Sequence, residues 1–407
     1  MYGLLGRKLS HSLSVQIHSC FGDYPYELFC REPEELDAFF ADENIKAFNV
    51  TIPYKKEAYN RCDVLSPTAG KIGSVNTVVR KDGKLYGYNT DLFGFKYMAS
   101  SLGADFSGKK VLVLGSGGAS LTVVTAAQEL GAREIIVVSR SGENNYENIS
   151  KHYDSQIIVN ATPVGMYPDN GKAAVDLKKY KSVEFVLDLI YNPCMTELLL
   201  EADELKIPYI NGLTMLVAQG LRSAEFFFGS KFDDGLITST ENKINEGMKN
   251  IVLTGMPGCG KTTVSEIIGE KLGRKVLDTD ALIEKEQGKS IPEIFSQNGE
   301  NYFRDAEEKV VSQCGKELGN IISTGGGSVL RERNRKSLKQ NGIIIYLNRN
   351  IEELATDGRP LSKDINAVKE IYNTRREIYE NFADYKIDVD RDPAVTAERV
   401  LKCVSSL

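Results

Sequence analysis

The sequence predicts an α/β protein of three parts, an N-terminal α/β domain, a Rossmann-like doubly wound domain and a P-loop α/β domain, and three observations carry that expectation. The first is Gly255-Met256-Pro257-Gly258-Cys259-Gly260-Lys261-Thr262, which fits the phosphate-loop pattern of Gly, four free positions, Gly, Lys and Ser/Thr. A short apolar strand, Asn250 to Leu253, precedes it and helical spacing from Thr263 to Leu272 follows, which puts the loop amides at a helix N-terminus, facing a phosphate. The second is Gly115-Ser116-Gly117-Gly118-Ala119-Ser120, which follows the strand Val111 to Leu114 and opens a helix, the context a dinucleotide fingerprint requires. The third is a set of short, buried-looking strands, Val111 to Leu114, Ile135 to Val138, Ile157 to Val159 and Phe185 to Leu189, of which the first two are separated by a helical segment.

A chain of 407 residues is long enough for about two to three domains, and 42% hydrophobic content supplies a sizeable core for each. The net charge of −6, with both signs interspersed, leaves no polybasic footprint and disfavours nucleic acid and membrane surfaces as partners. Seven cysteines, scattered and without a Cys-x-x-Cys pair, suit a reducing compartment, so a cytoplasmic location is expected. No apolar run approaches the roughly 18 residues of a membrane span. Met1 to Ser14 lacks the hydrophobic centre of a signal peptide.

Taken in order, residues 1–95 mix short strands and helices and form a first domain. Ala47 to Ile52 is its clearest strand, and Asp82-Gly83 turns a hairpin between Thr77 to Arg80 and Lys84 to Tyr88. Residues 96–230 hold the strand series above and end in a helix from Gly212 to Phe228. Residues 231–248 are polar, with Asp233-Asp234-Gly235, and are assigned as a linker, part of which is open to a last short helix. Residues 249–407 form the phosphate-loop domain. No internal repeat or low-complexity tract is present.

The glycine turn at Gly115, Ser116, Gly117, Gly118 and Ala119 is a candidate cofactor site, although Ser120 stands where a third glycine belongs. The second strand ends Val138-Ser139-Arg140 without a carboxylate. Arg140 suits a ribose phosphate where an aspartate would take a free hydroxyl, so NADP is favoured over NAD. Upstream lies a polar constellation: Ser12 and Ser14 after His11, Asn49-Val50-Thr51-Ile52-Pro53-Tyr54-Lys55, Ser74-Val75-Asn76-Thr77 and Gly87-Tyr88-Asn89-Thr90-Asp91. Together with Asn160-Ala161-Thr162-Pro163-Val164-Gly165-Met166 and Asn211 to Gln219, it resembles shikimate dehydrogenase over residues 1 to about 230. The resemblance implies Lys55 and Asp91 as the catalytic pair. It implies Ser12, Ser14, Thr51, Asn76 and Gln219 as holders of the substrate's carboxylate and hydroxyls, and Met215 and Ser139 as further cofactor contacts. The residue types fit the chemistry, since hydride delivery to a ketone leaves charge on oxygen that an ammonium neutralises and protonates. His11, His18 and His152 have no metal-ligand spacing, which disfavours a zinc-dependent route.

In the second half, Lys261 is placed to reach the outer phosphates of ATP and Thr262 its Mg²⁺, with Gly258, Cys259, Gly260 and Thr263 around the phosphates. Val276-Leu277-Asp278-Thr279-Asp280 reads as a strand end carrying two carboxylates on one face. Phe303-Arg304 with Glu307, Gly325-Gly326-Gly327, Arg359-Pro360-Leu361 and Arg375 ahead of Tyr379 follow. That order resembles shikimate kinase over residues 249–407. The resemblance implies Asp278 near the metal, Asp280 facing the attacking hydroxyl, and Arg304 and Arg375 on the substrate carboxylate. It implies Gly325, Gly326 and Gly327 against the substrate and Arg359 on a lid from Leu354 to Lys363. Taken singly, Asp280 reads equally as a helix cap and Arg304 as a partner of Glu308.

The combined expectation is a bifunctional enzyme that reduces 3-dehydroshikimate to shikimate with NADPH and phosphorylates shikimate with MgATP, with a homodimer through the first half. The alternative is an active kinase fused to a catalytically silent NADP-sensing module. A GTPase-type switch is disfavoured, because neither Asp-x-x-Gly nor Asn-Lys-x-Asp follows Lys261.

Overall fold

The computed structural model describes residues 1–9, 12–354 and 365–404, apart from the side chains of residues 365 and 367. The chain divides into two units. One comprises residues 1–166, 172–191 and 198–244, the other residues 167–171, 192–197 and 245–407.

The first unit begins with β1 (Tyr2–Gly6), α1 (Ser14–Ser19), β2 (Tyr26–Cys30), α2 (Leu36–Ala41), β3 (Ala47–Val50), α3 (Lys55–Arg61), β4 (Val64–Leu65), α4 (Pro67–Ile72), β5 (Thr77–Lys81), β6 (Lys84–Tyr88) and α5 (Asp91–Ser101). The strands form one six-stranded mixed sheet in the order β2-β1-β3-β5-β6-β4. The expected hairpin is there: Asp82 and Gly83 both have positive φ, 51° and 72°, and connect antiparallel β5 and β6 in the Lys81–Lys84 register. Both positions need left-handed backbone, which this turn class demands and Asp-Gly supplies. All four residues of β3 are buried. Its Phe48 packs edge-to-face against Phe39 and Phe40 of α2, which fixes the layer over that face of the sheet.

A second, all-parallel sheet follows, built from β7 (Lys110–Leu114), α6 (Gly118–Glu129), β8 (Glu134–Val138), β9 (Ile157–Asn160), β10 (Phe185–Asp188), α7 (Glu197–Glu204) and β11 (Tyr209–Ile210), in the order β11-β10-β9-β7-β8. The chain between β8 and β9 makes only a 3₁₀ turn, Ile149–His152. The fully buried β7 is flanked by β8 and β9, as the near-continuous apolar run predicts for a strand covered on both faces. Helix α8 (Leu213–Phe228) then packs closely on α5. The approach is so tight at Gly94 that a Cβ there would sit 2.6 Å from the Met215 carbonyl oxygen and 3.0 Å from the Gln219 Cβ. Most of the assigned linker is helical, α9 (Gly235–Met248), and Thr214 donates to Glu241 on it at 2.7 Å.

The second unit contains β12 (Asn250–Thr254), α10 (Lys261–Leu272), β13 (Val276–Asp278), α11 (Thr279–Gln287), α12 (Ile291–Lys316), β14 (Ile321–Ser323), α13 (Glu332–Lys339), β15 (Gly342–Asn348), α14 (Ile365–Phe382), β16 (Tyr385–Asp388) and α15 (Pro393–Val404). Its five strands among the described residues are all parallel, in the order β13-β14-β12-β15-β16. Here one expectation is corrected. Asp280 is not a strand residue; it lies in the first turn of α11, because Asp278 caps that helix by accepting from the amides of Asp280 at 3.0 Å and Ala281 at 3.2 Å.

Candidate active sites

In the first unit, a cavity of about 670 Å³ is lined by Ser12, Ser14, Asn49, Thr51, Lys55, Asn76, Asp91, Ala119, Met215 and Gln219, with Lys8, Leu9 and Tyr191. Four elements converge there for local reasons. Lys55 and Asp91 are the first residues of α3 and α5, and Asn76 directly precedes β5. The close α5–α8 crossing at Gly94 brings Gln219 alongside. The Lys55 ammonium donates to Asp91 Oδ2 at 2.6 Å, and Asn76 Nδ2 donates to Asp91 Oδ1 at 2.9 Å. Asp91 is thereby fixed through both oxygens, which aims the ammonium. Asn76 in turn accepts from the Thr90 amide at 2.8 Å, and Gln219 anchors its amide group on the Leu216 carbonyl at 2.8 Å.

Beneath this floor, Asn49, Thr77 and Thr90 of the quoted motifs meet Ser223 and Tyr26, which the sequence does not single out, in a buried network. Ser223 of α8 donates to the Gln219 carbonyl at 2.9 Å and accepts from Asn49 at 2.8 Å, and its hydroxyl also meets those of Thr77 and Thr90. Tyr26 donates to Asn49 at 2.8 Å and stacks on His18, whose burial pushes its pKa down to about 3. His18 is therefore a neutral packing residue. Ser12 and Ser14 lie 3.1 Å apart, hydroxyl to hydroxyl, at the start of α1, while His11 lies outside the described residues.

The glycine turn follows β7, between β8 and β9, where the strand order reverses and open α/β sheets bind ligands. Gly115 has a φ of 105°, and a Cβ there would come within 3.0 Å of both Thr162 and the Ala161 carbonyl. Only glycine suits that position. Gly117 and Gly118 face open space. The amides of Ser116, Gly117 and Gly118 make no hydrogen bond among the described residues, so they are free for phosphate oxygens. Ser120, in place of the third glycine, is buried and donates to the Gly117 carbonyl at 2.7 Å, so it braces the turn. Ala119 and Met215 face the cavity, whereas Ser139 and Arg140 lie apart from it at the end of β8. Arg140 is exposed, near Tyr146, and makes no hydrogen bond or ion pair among the described residues.

In the second unit, a cavity of about 570 Å³ brings together Gly258, Gly260, Lys261, Thr262, Thr263, Asp278, Asp280, Arg304, Gly325, Gly326, Gly327 and Arg375. Cys259 is fully buried and does not line the cavity, and its amide donates to the Met256 carbonyl at 3.2 Å. Lys261 Nζ curls onto the Gly255 and Met256 carbonyls, each at 3.0 Å. The amides of Gly258, Gly260 and Lys261 have no partner among the described residues. Thr262 donates to Asp278 Oδ2 at 2.9 Å. Hydroxyl and carboxylate oxygens side by side fit a hard cation such as Mg²⁺, which keeps waters and phosphate oxygens as its other ligands. No group of three or more His, Cys, Asp or Glu among the described residues is placed to hold a metal ion, so phosphate oxygens and water would complete that shell.

Arg304 is oriented by Glu307 at 2.8 Å and by Glu300 at 3.1 Å, not by Glu308, which pairs with Arg331 and Arg333. The Glu307 carboxylate also accepts from Ser328 at 2.6 Å, which ties the arginine to the glycine turn. Asp280 is half-buried, and its carboxylate accepts no hydrogen bond among the described residues. Burial first, then the neighbouring Asp278, raises its pKa from 3.8 to about 6, with Lys261 opposing. Each glycine of the turn meets a different neighbour at close range: Gly325 the Asp280 carboxylate, Gly326 the Pro257 ring and Gly327 the Arg304 guanidinium. An apolar wall of Ile291, Pro292, Phe295 and Phe303 closes one side. Of these, Phe303 belongs to the motif around Arg304, whereas Ile291, Pro292 and Phe295 carry no motif and their helical spacing reads equally as core. Arg359 and most of the Leu354–Lys363 lid lie outside the described residues.

Comparison with known proteins follows the same division. The family profile described as the shikimate dehydrogenase substrate binding domain matches residues 4–78, and that described as shikimate kinase matches residues 257–405. The NADP(+) shikimate dehydrogenase of Clostridium perfringens strain SM101 is 36% identical over 270 residues, which cover 61% of this chain and 98% of that protein. A solved chorismate mutase/shikimate 5-dehydrogenase fusion protein from Clostridium acetobutylicum is similar with a TM-score of 0.57 and 34% identity, covering 60% of this chain and 96% of its own. A shikimate 5-dehydrogenase from Thermus thermophilus, solved in complex with NADP(H) and shikimate, has a TM-score of 0.55 and 29% identity, covering 60% and 98%.

Proposed function

We propose, from the premise that this chain belongs to the shikimate dehydrogenase family through its N-terminal part and carries a shikimate kinase domain at its C-terminus, that its two cavities act in turn on one small ring acid. The chain is a bifunctional shikimate-pathway enzyme: NADPH-dependent reduction of 3-dehydroshikimate gives shikimate, and ATP-dependent phosphorylation converts shikimate to shikimate 3-phosphate. The observation that carries the assignment of roles is the Lys55–Asp91 pair at 2.6 Å, locked by Asn76 inside a cavity of hydroxyl and amide side chains.

In the first site, Lys55 donates the proton to the carbonyl oxygen as charge develops on it, and Asp91 holds the ammonium in line. Ser12 and Ser14 take the substrate carboxylate, and Thr51, Asn76 and Gln219 take its ring hydroxyls. NADPH supplies the hydride when bound. The amides of Ser116, Gly117 and Gly118, free among the described residues, would hold its pyrophosphate, Met215 would line its site from the cavity, and Ser139 with Arg140 would receive the 2′-phosphate.

In the second site, Asp280 accepts the proton of the attacking hydroxyl, and a pKa of about 6 keeps it in the basic form at neutral pH. Arg304, Arg375 and the glycine turn hold the carboxylate end of the substrate. Thr262 and Asp278 would hold Mg²⁺, the Gly258–Thr263 loop would hold the phosphates, and Lys261, now on two loop carbonyls, would supply positive charge to the outer phosphates. MgATP supplies the phosphoryl group when bound. Arg359 is assigned to the lid on resemblance alone.

A cytoplasmic location is part of the same proposal and accords with seven free cysteines. No described helix is long and apolar enough to cross a membrane. A homodimer through the first unit belongs to the proposal too, with edge strand β2 and its exposed Leu28 as the available surface. The test of the whole reading measures NADPH consumption on 3-dehydroshikimate separately from ATP consumption on shikimate. Lys55→Ala is expected to lower the first by about 10²–10⁴-fold and spare the second, and Lys261→Ala to do the reverse. Full dehydrogenase activity in Lys55→Ala would dismiss the proposed proton donor.

A further inference from the structure

We propose that Tyr379 is a positioning residue for the acid-binding glycine turn of the kinase site, an inference that rests on the reading of that unit as a shikimate kinase. Its phenol donates a hydrogen bond to the Gly326 carbonyl, to which Arg375 Nη1 also donates at 3.0 Å. Residues 375 and 379 stand four apart on α14 and so share one face of the helix, which makes the two donors a clamp on a single oxygen. Tyr379 itself is fully buried, with its ring stacked on Tyr346 of β15 at 5.2 Å and 14° between planes. Its hydroxyl is thereby held in place by packing as well as by the bond it makes. Burial raises the pKa of this phenol well above the usual range, so it remains a donor at every pH at which the protein works.

The opposite side of the turn is blocked. The Gly326 α-carbon lies against the phosphate loop so closely that a Cβ would fall 2.7 Å from the Pro257 ring. The peptide between Gly326 and Gly327 is therefore wedged between Pro257 and the two α14 donors. In a trans peptide the carbonyl and the following N–H point in opposite directions, so fixing the Gly326 oxygen fixes the Gly327 N–H as well. The amides of Gly326 and Gly327 make no hydrogen bond among the described residues, and both residues line the cavity. Arg375 shares its guanidinium between this carbonyl and the cavity. Without the phenol it would have to hold the turn alone, at the expense of its alignment on a substrate carboxylate.

The test is Tyr379→Phe in the full chain, which keeps the ring, its volume and its stack on Tyr346 and removes the donor alone. Tyr346→Phe, which loses a hydroxyl bonded only to Asn348 among the described residues, is the matched control. Tyr379→Phe is expected to raise the KM for shikimate about three- to tenfold, the size of one lost hydrogen bond. The KM for ATP and kcat should stay within about twofold, and Tyr346→Phe should leave all three unchanged. A purely structural role would lower the melting temperature and shift both substrates together, and that result overturns the proposal. A KM for shikimate unchanged in Tyr379→Phe also overturns it. Failure of the wild-type chain to phosphorylate shikimate would overturn the underlying reading, and this inference with it.

Discussion

Replacing Asp280 by asparagine separates what the carboxylate does for chemistry from what it does to stability. The side chain carries a charge into a site where no hydrogen bond meets it among the described residues, with Asp278 and Glu307 as like-charged neighbours. Moving its pKa from 3.8 to about 6 corresponds to disfavouring the charged form by on the order of 3 kcal/mol. Because the folded-state pKa is raised, the favourable contribution is complete below the unfolded value and is lost as pH rises through about 6. At pH 8 the wild-type chain therefore bears the full penalty. Asp280→Asn removes it, so the melting transition of the kinase unit should rise by roughly 6–12 °C. At pH 4.5 the wild-type carboxyl is already protonated in the folded state, and the advantage should shrink to about 1 kcal/mol. Calorimetry of the full chain at both pH values reads this difference. ATP-dependent turnover of shikimate should fall by about 10²–10⁴-fold in the variant, with dehydrogenase activity retained. In the wild type, kcat/KM for shikimate phosphorylation should drop about tenfold per pH unit below about 6. A variant less stable than wild type at pH 8, or a stability gap equal at the two pH values, would refute the assignment of Asp280 as an unsatisfied, poised carboxylate.

Two further outcomes test the first unit. Arg140→Ala should reduce the preference for NADPH over NADH about ten- to a hundredfold, the size of a lost charge-assisted bond to phosphate; steady-state kinetics with both cofactors read it, and an unchanged ratio would remove Arg140 from the cofactor site. Gly94→Val should destabilise the unit by about 1–3 kcal/mol and depress dehydrogenase turnover while leaving kinase turnover intact, since the added atoms meet the Met215 backbone and push Gln219 away from Asn76 and Thr90.

The parts of both sites that follow a backbone rule were legible from residues alone. The Asp-Gly hairpin, the glycine turn after β7 and the loop after β12 are each set by which residues tolerate left-handed backbone and by strand-to-helix order, and both are local properties of sequence. Strand periodicity extended through Asp280 puts that residue on the wrong element. The Asp278 side chain captures the next amides and starts a helix, a competition between side chain and strand that residue spacing does not reveal. Arg304 pairing with Glu307 and Glu300 in place of Glu308 has a similar origin, because three carboxylates at helical spacing compete for one guanidinium and Ser328, distant in sequence, decides between them. The Ser223 network and Tyr191 had no legible signal. Their roles depend on α8 crossing α5 and on where the chain turns after β10, contacts made between residues far apart in sequence.

The two sheets reach their ligands by one geometric device and differ in how they handle charge. In each, the strand carrying the glycine loop has neighbours on both sides that are reached by connections running in opposite directions, β8 and β9 around β7, β14 and β15 around β12. That reversal opens a crevice at the strand ends where a helix N-terminus and free amides await an anion. The first loop, Gly115 to Ala119, carries neither lysine nor carboxylate, and under the proposed reading the fixed charge comes from Arg140 just past the end of the neighbouring strand β8. The second loop ends in Lys261 and Thr262 with Asp278 alongside, which suits the proposed phosphoryl transfer, where a triphosphate losing its terminal group needs countercharge. The same contrast explains the acids. Asp91 is held through both oxygens, which in the proposed reaction leaves it to orient Lys55. Asp280 is left without a donor, and a carboxylate that nothing satisfies is one that can take a proton.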